Sequence, residues 1–403
     1  MTHSMTLSSN TLHNTAKVME FIYRNKLVSR TKISDKLNIT PAATTSIVSM
    51  LIKKGIIFET GNKIRIQEGS GRSRRLLNIN ENFAYLIGVE FNVRGIAIVA
   101  TDIIGKILSQ KFIKMENYTV KNITPIIIQM IKQTLHQYSH ERCAGIGFAI
   151  PGHFDTTNQS IISNNKSWSH FNFDKIKKNF ELPIFIDNNI ECMALAEYLF
   201  DSQESPDRFL FLHNGPGIFC SFFNSQHINN KDNYYIGELG HTIVDINGPI
   251  CECGKRGCLQ TYISDTWLIE SAKFLFSNSA NTVLKSLVSS PKEITLDVII
   301  DAYTLGDSFI IDKIESGIQF LAISISNTLI IYDSNKIFIN SELLNKLNFK
   351  SKLTNLIEEQ LYFIPSKHDL EIKILDFNLY RGARGACSLA AYHSIIQSPF
   401  GLI

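Results

Sequence analysis

The residues best suited to chemistry lie in one short stretch. Gly237-Glu-Leu-Gly-His241 is followed by Cys251-Glu-Cys253-Gly-Lys-Arg-Gly-Cys258-Leu-Gln260, so three of the chain's seven cysteines fall within eight residues, and a histidine stands ten positions before the first. Thiolate and imidazole are the ligands zinc prefers, and four of them close a tetrahedral structural site. Gly254 and Gly257 allow so short a loop to fold back and aim three sulfurs at one point. A set of buried free cysteines beside an ordinary core histidine is the plainer alternative, which the Cys-x-Cys-x4-Cys spacing weighs against. A disulfide is disfavoured, because nothing else in the chain suggests an oxidising compartment.

The elements around this stretch are those of a chain with two or three domains. Its 403 residues are 44% hydrophobic and 19% charged, a globular balance. The first ten residues lack the basic and apolar regions of a signal peptide. The longest apolar runs, such as Phe320–Tyr332, are interrupted by Ser and Asn, and none reaches bilayer-spanning length. A cytoplasmic soluble protein is expected.

Charge is distributed unevenly. Residues 1–78 hold 13 Lys/Arg against 4 Asp/Glu, a net +9, whereas 79–403 hold 27 against 33, a net −6. A basic head on an acidic body suits a polyanion-binding module. Within it, apolar spacing predicts a helix over Ala16–Asn25, a second over Arg30–Leu37 capped by Ser29, and a third from Pro41 to Lys54 capped by Thr40. Ile47, Val48, Leu51 and Ile52 form the buried face of the third. Thr44, Thr45, Ser46 and Ser49, with Thr40 at the cap, form the face able to approach base edges. Ile56–Thr60, Gly61-Asn62 and Lys63–Gln67 read as a tight β-hairpin, and Glu68–Arg75 as a basic tongue. Together these predict a winged helix-turn-helix, with Arg72, Arg74 and Arg75 reaching phosphates or the minor groove of operator DNA. A packing or dimerisation module without DNA is the competing reading.

Beyond residue 80 the pattern is α/β: a hairpin over Phe83–Asp102, a helix over Ile123–Tyr138, and a strand over Gly145–Gly152. Strands near 184–187 and 209–213, a helix over Glu191–Phe200, mainly helical 265–330, a strand over Lys336–Asn340 and a terminal helix over Ala383–Ile396 follow.

In this order, the helix-turn-helix, Gly-Ile-Gly-Phe-Ala-Ile-Pro-Gly at 145–152, Ala194-Leu-Ala-Glu197, Gly-Glu-x-Gly-His at 237–241 and the cysteine loop resemble the ROK family of repressors and sugar kinases. The resemblance implies a two-lobed actin-like, ribonuclease H-like body and a structural Zn2+ held by His241, Cys251, Cys253 and Cys258. It implies domains at 1–80, at 81–190 joined by about 383–403, and at 191–382 with a helical dimerisation region. Residues 1–80 resemble the repressor branch.

Departures from the kinase members decide the expected chemistry. Where kinases carry Asp-x-Gly-x-Thr for ATP phosphates, the chain reads Glu90-Phe-Asn92-Val-Arg94. The second phosphate loop is His213–Phe219 with Pro216 removing an amide, and the adenosine-contacting glycine pair is Asn340-Ser341. The position of the kinase base is Asn189, and an amide cannot take a proton from a sugar hydroxyl. Asp187, two residues away, faces differently. The resemblance places sugar hydroxyls against Asn188, Asn189, Glu238, His241 and Gln260, so a sugar or sugar phosphate is the expected effector. The expectation is a homo-oligomeric, DNA-binding repressor of sugar genes without catalysis. A sugar kinase with an accessory DNA-binding head, or a repressor released by a phosphotransferase-system protein, are the alternatives.

Overall fold

The computed structural model describes residues 8–64, 74–115, 122–163, 168, 171–228, 234–279, 281–363 and 369–399. The chain divides into two compact units, Met1–Ser205 with Leu379–Ile403, and Pro206–Asn378. The division falls after Ser205 rather than at 190, so the helix that follows the predicted strand near 184–187 stays with the first unit. The N-terminal segment belongs to that unit as well.

The first unit opens with helices α1 (Ser9–Asn25), α2 (Arg30–Leu37) and α3 (Pro41–Lys53). Hydroxyl caps begin all three: Ser8 accepts from Thr11 N, Ser29 from Lys32 N and Thr40 from Ala43 N. The Ser8 cap starts α1 seven residues ahead of the apolar pattern. Asn38, in the left-handed conformation, ends α2, and only Asn38–Thr40 separate it from α3. Strands β1 (Val28–Ser29), β2 (Ile57–Ile64) and β3 (Arg74–Ile79) form an antiparallel sheet in the order β1-β3-β2. The expected turn at Gly61-Asn62 is therefore corrected. These residues lie within β2, where the pairing with β3 shifts register between Glu59 and Lys63 and continues through Lys63↔Arg75 and Ile64↔Arg74. Part of the predicted tongue is strand β3; Arg72 lies outside the described residues.

Strands β4 (Tyr85–Asn92), β5 (Gly95–Asp102), β6 (Ile107–Lys114), β7 (Cys143–Ile150) and, after the short pair β8 (His153–Asp155) and β9 (Ser160–Ile162), β10 (Ile184–Asn188) build a five-stranded sheet. Its order is β10-β7-β4-β5-β6, with β7 parallel to both β4 and β10. One face carries α4 (Ile123–Gln137) and α5 (Asp174–Lys177) over a core of Ile87, Val89, Phe91, Phe148, Trp168 and Phe173. The other carries α6 (Asn189–Leu199) and the C-terminal helix Arg381–Ala391. That helix crosses β4 and β7 so closely that a Cβ at Gly147 would lie 1.8 Å from the Ala386 carbonyl oxygen. Every residue of α6 from Ile190 to Leu199 except Glu191 is buried, which is why its pattern shows no polar stripe.

The second unit has a four-stranded sheet whose strands β11 (Arg208–Asn214), β12 (Ile218–Asn224), β13 (Lys336–Asn340) and β14 (Glu371–Ile374) lie in the order β12-β11-β13-β14. Helices α7 (Gln260–Ile263), α8 (Asp265–Asn278), α9 (Leu284–Leu287), α10 (Leu296–Thr304), α11 (Ser308–Ile331), α12 (Glu342–Lys346) and α13 (Lys350–Leu361) complete it. α11 is long and apolar enough to cross a membrane. Half of it is buried in this unit, where Ile314, Ile318, Leu321 and Ile325 join the core. Its buried Ser326 and Thr328 donate back to the carbonyls of Ala322 and Ser324, so these hydroxyls are satisfied within the helix.

Candidate functional site

The sequence places three groups of candidate residues: the α3 face with the nearby arginines, the start of α6, and the cysteine loop. In α3 the periodicity divides the predicted face. Thr45, Ser46 and Ser49 are exposed, as is Thr40. Thr44 is fully buried, and its hydroxyl has no hydrogen-bond partner. It stands three and four residues before Ile47 and Val48, on the same stripe, so the helix turns it into the domain core rather than towards bases. Ile52 is only half-buried. Arg75 is exposed and donates to Glu59 Oε2 at 2.6 Å, while Arg30 donates to Glu59 Oε1 at 2.6 Å. These hydrogen bonds, Arg75's first, hold the Glu59 carboxyl below its usual range. Arg74 opens β3. Glu59 and Arg30, which sequence reasoning missed, tie strand β2 to the start of α2.

At the start of α6 the two asparagines part company. Asn188 is 3% exposed, and its amide is fully engaged in structure: Oδ1 accepts from Ile190 N at 2.8 Å, and Nδ2 donates to the Gly152 carbonyl at 3.0 Å. Asn188, expected to meet a sugar hydroxyl, serves here as the helix cap, the role an asparagine preceding a first turn readily takes. Asn189, half-buried, donates through Nδ2 to Glu90 Oε1 at 3.2 Å. Asn92 Nδ2 donates to the same oxygen at 3.2 Å, and the Gly382 N–H also reaches this carboxyl. Glu90 is buried, and desolvation pushes its carboxyl up despite these donors. Asn92 Oδ1 accepts from Arg94 N at 2.8 Å, so the turn between β4 and β5 is closed by its own side chains. The position that would hold a catalytic base is thus an amide tied to a buried carboxyl.

In the second unit the ligand atoms of His241, Cys251, Cys253 and Cys258 lie within 4.8 Å of one another. Cys253 Sγ is 3.6 Å from Cys258 Sγ, and Cys251 Sγ is 3.6 Å from His241 Nδ1. Ligands at about 2.3 Å from a tetrahedral zinc stand about 3.7 Å apart, so these edges fit the ion. The loop is shaped for the purpose. Cys251 N donates to Lys255 O at 2.8 Å, and Gly257 N to Pro249 O at 2.8 Å. Gly257 has φ +65°, and a Cβ there would strike the Asp245 carbonyl oxygen at 1.5 Å. Burial pushes the Cys251 and Cys258 thiols up, whereas Cys253, though partly buried, is held below its ordinary value by the Lys255 N–H and neighbouring thiols. His241 Nε2 faces Glu238 Oε2 at 3.8 Å.

Gln260 is 4% exposed, and its Nε2 donates to Glu252 and, at 3.6 Å, to Cys251 Sγ. Trp267 Nε1 donates to Glu252 Oε2 at 3.2 Å. Burial opposes ionisation of Glu252, but its own backbone N–H and hydrogen bonds from the Cys251 thiol and Trp267 prevail and hold its carboxyl below the usual range. Glu252 is a third residue sequence reasoning missed; its place inside the Cys-x-Cys unit was the available signal. Asn188 and Asn189 belong to the first unit and Glu238, His241 and Gln260 to the second.

Each of the two units thus holds a sheet flanked by helices, with a Cys3His cluster in the second and an N-terminal helix-turn-helix in the first. The ROK family profile matches residues 86–393, and the chain belongs to that family. It is 25% identical over 356 residues to the xylose repressor of Bacillus subtilis (strain 168), covering 86% of this chain and 88% of that protein. It is 25% identical over 341 residues to the DNA-binding transcriptional dual regulator NagC of Escherichia coli (strain K12), covering 82% and 80%. Among solved structures, a ROK family transcriptional regulator homologous to the E. coli MLC protein matches with a TM-score of 0.75 at 22% identity, over 96% of this chain and 98% of that one. A ROK family glucokinase from Streptomyces griseus, in complex with glucose and AMPPNP, matches at 0.61 and 21%, over 76% and 99%. The kinase match shares the fold of the body.

Proposed function

We propose that the chain is a sugar-responsive, DNA-binding transcriptional repressor acting in the cytoplasm. The observation that carries it is the exposed hydroxyl row Thr40, Thr45, Ser46 and Ser49 on the second helix of a helix-turn-helix, followed by the β2–β3 wing. A helix so presented enters a major groove, with small hydroxyls able to meet base edges. Arg75, with Arg72 and Arg74 near it in sequence, supplies phosphate contacts. A homodimer presents two such helices to two half-sites.

The effector is a sugar or sugar phosphate, for which the names of the relatives make D-xylose the first probe and N-acetylglucosamine the second. Glu238, His241 and Gln260 of the second unit supply acceptors and donors for its hydroxyls. His241, Cys251, Cys253 and Cys258 hold a structural zinc, which would pin the loop carrying Glu238 and Gln260. No phosphoryl transfer is expected, because Asn189 cannot act as base and Asn92 and Pro216 alter both phosphate loops.

The test is operator binding by fluorescence anisotropy, using DNA fragments selected from genomic digests. With ~6 phosphates neutralised, affinity should fall roughly 40-fold per doubling of salt, and D-xylose should weaken it further. Salt-independent binding would sink the DNA reading, and turnover of ATP with any hexose or pentose would favour the kinase. Operator binding indifferent to every sugar would shift the effector to a phosphotransferase-system protein.

A further inference from the structure

In the function proposed above α3 meets DNA; a side-chain cluster joins α6 to α1, which itself packs against α3. Resting on that reading, we infer that Tyr198, on the last turn of α6, is the positioning residue that fixes the head on the first lobe. It thereby sets the half-site spacing a dimer accepts.

Tyr198 is 2% exposed. Its hydroxyl donates to Glu20 Oε1 at 2.5 Å and accepts from Arg24 NH1 at 3.2 Å, and the Arg24 guanidinium lies 4.0 Å from the centre of its ring. Arg24 NH2 donates to the Ser205 carbonyl at 2.7 Å, and Ser202 Oγ donates to the Arg24 carbonyl at 2.9 Å. Glu20 and Arg24 are one turn apart on α1, so both reach Tyr198 from the same face. The C-terminal turn Tyr392–Gln397 packs against α1 as well.

The head is therefore attached at three places: the peptide connection from β3 through the short turn Glu81–Phe83 to β4, the packing of Tyr392–Gln397 on α1, and the cluster at Tyr198. The cluster is the polar, directional one, and it restricts the rotation that the other two would permit. A change of one base pair moves a half-site by about 3.4 Å and turns it by about 35° around the duplex. A head held by its connection and the apolar packing of Tyr392–Gln397 could pivot to follow that change; a head held also at Tyr198 cannot. The same helix bears Asn189 nine residues earlier, roughly 14 Å away along its axis, so a displacement of α6 carries the head with it.

The test uses the full chain against operator duplexes whose half-site spacing is altered by one base pair in either direction. Wild type should prefer its own spacing by about tenfold or more. Tyr198→Phe keeps the ring and removes both hydroxyl bonds. It should narrow the preference to within about threefold while leaving affinity for a single half-site duplex within about twofold. A purely structural role would weaken all duplexes alike. Independently of DNA, amide hydrogen exchange around Glu20–Arg24 should rise about tenfold in the variant, because local opening becomes easier. Unchanged exchange, or a variant as spacing-selective as wild type, overturns the inference. Failure of the wild type to bind any duplex would remove the DNA reading, and the exchange comparison would still decide whether Tyr198 holds the head.

Discussion

Arg381→Met tests the interface on which α6 rests. Glu197, the glutamate of Ala194-Leu-Ala-Glu197, is 4% exposed, and its Oε1 accepts from Arg381 NH1 of the C-terminal helix at 2.9 Å. Methionine fills similar space and leaves the carboxylate buried without its cation, a loss of about 3–5 kcal/mol. Protonation sets a ceiling. Binding a proton at pH 7 by a carboxyl of ordinary pKa near 4.3 costs about 3.7 kcal/mol. The variant should therefore lose about 3–4 kcal/mol at pH 7, or roughly 8–15 °C in Tm for a unit of this size. The sign with pH follows: a carboxyl whose folded pKa has been raised destabilises most at high pH and not at all below its unfolded pKa. At pH 5 the penalty should shrink to about 1 kcal/mol. Glu197→Gln with Arg381→Met should recover most of the loss, since neither partner is then a buried charge. Urea unfolding at pH 7 and pH 5 measures all three. A single variant within about 1 kcal/mol of wild type at pH 7, or an equal loss at both pH values, would refute the reasoning.

Other perturbations follow from the same geometry. Elemental analysis should find about one zinc per chain, and Cys258→Ser should abolish it while lowering Tm; a metal-free protein of unchanged Tm would remove the site. Burial raises the folded pKa of Glu90, so its contribution to stability is complete below the unfolded value and is lost as pH rises through the folded one. Glu90→Gln should thus gain stability over wild type at pH 8 and little or none at pH 4, with thermal melts showing a flat difference if this is wrong. Thr44→Val replaces a buried hydroxyl lacking a partner. It should hold or raise stability by up to about 1 kcal/mol and leave operator affinity unchanged, whereas Ser49→Ala should alter base preference. Loss of DNA binding in Thr44→Val would return Thr44 to the interface.

Much of this was legible in the residues. The caps Ser29 and Thr40 marked two helix starts because hydroxyl capping is local chemistry. The Cys-x-Cys-x4-Cys spacing foretold a cluster because short loops with glycines have few ways to close. What failed was governed by tertiary context. Gly61-Asn62 carries a turn signal, yet the pairing of β2 with β3 absorbs it as an irregularity within a longer strand. Thr44 is polar and was assigned outward by type, although its spacing to Ile47 and Val48 already placed it on the buried stripe. Asn188 and Asn189 look alike in sequence; one caps α6 and the other meets Glu90, a difference set by a strand a hundred residues earlier. Tyr198 carried no signal at all, because its partners lie on α1, more than 170 residues away.

The C-terminal helix gives the first unit a constraint in time. Residues 206–378 can close their own sheet as soon as they leave the ribosome, whereas β4 and β7 wait for Arg381–Ala391 before the face at Gly147 is covered. At ~5–20 residues per second, roughly 240 residues separate β7 from that helix, a delay of about 12–50 s. During this interval α6 lacks the helix it packs on, and α1 lacks its C-terminal neighbour. A nascent or truncated chain would carry a helix-turn-helix without the platform that orients it.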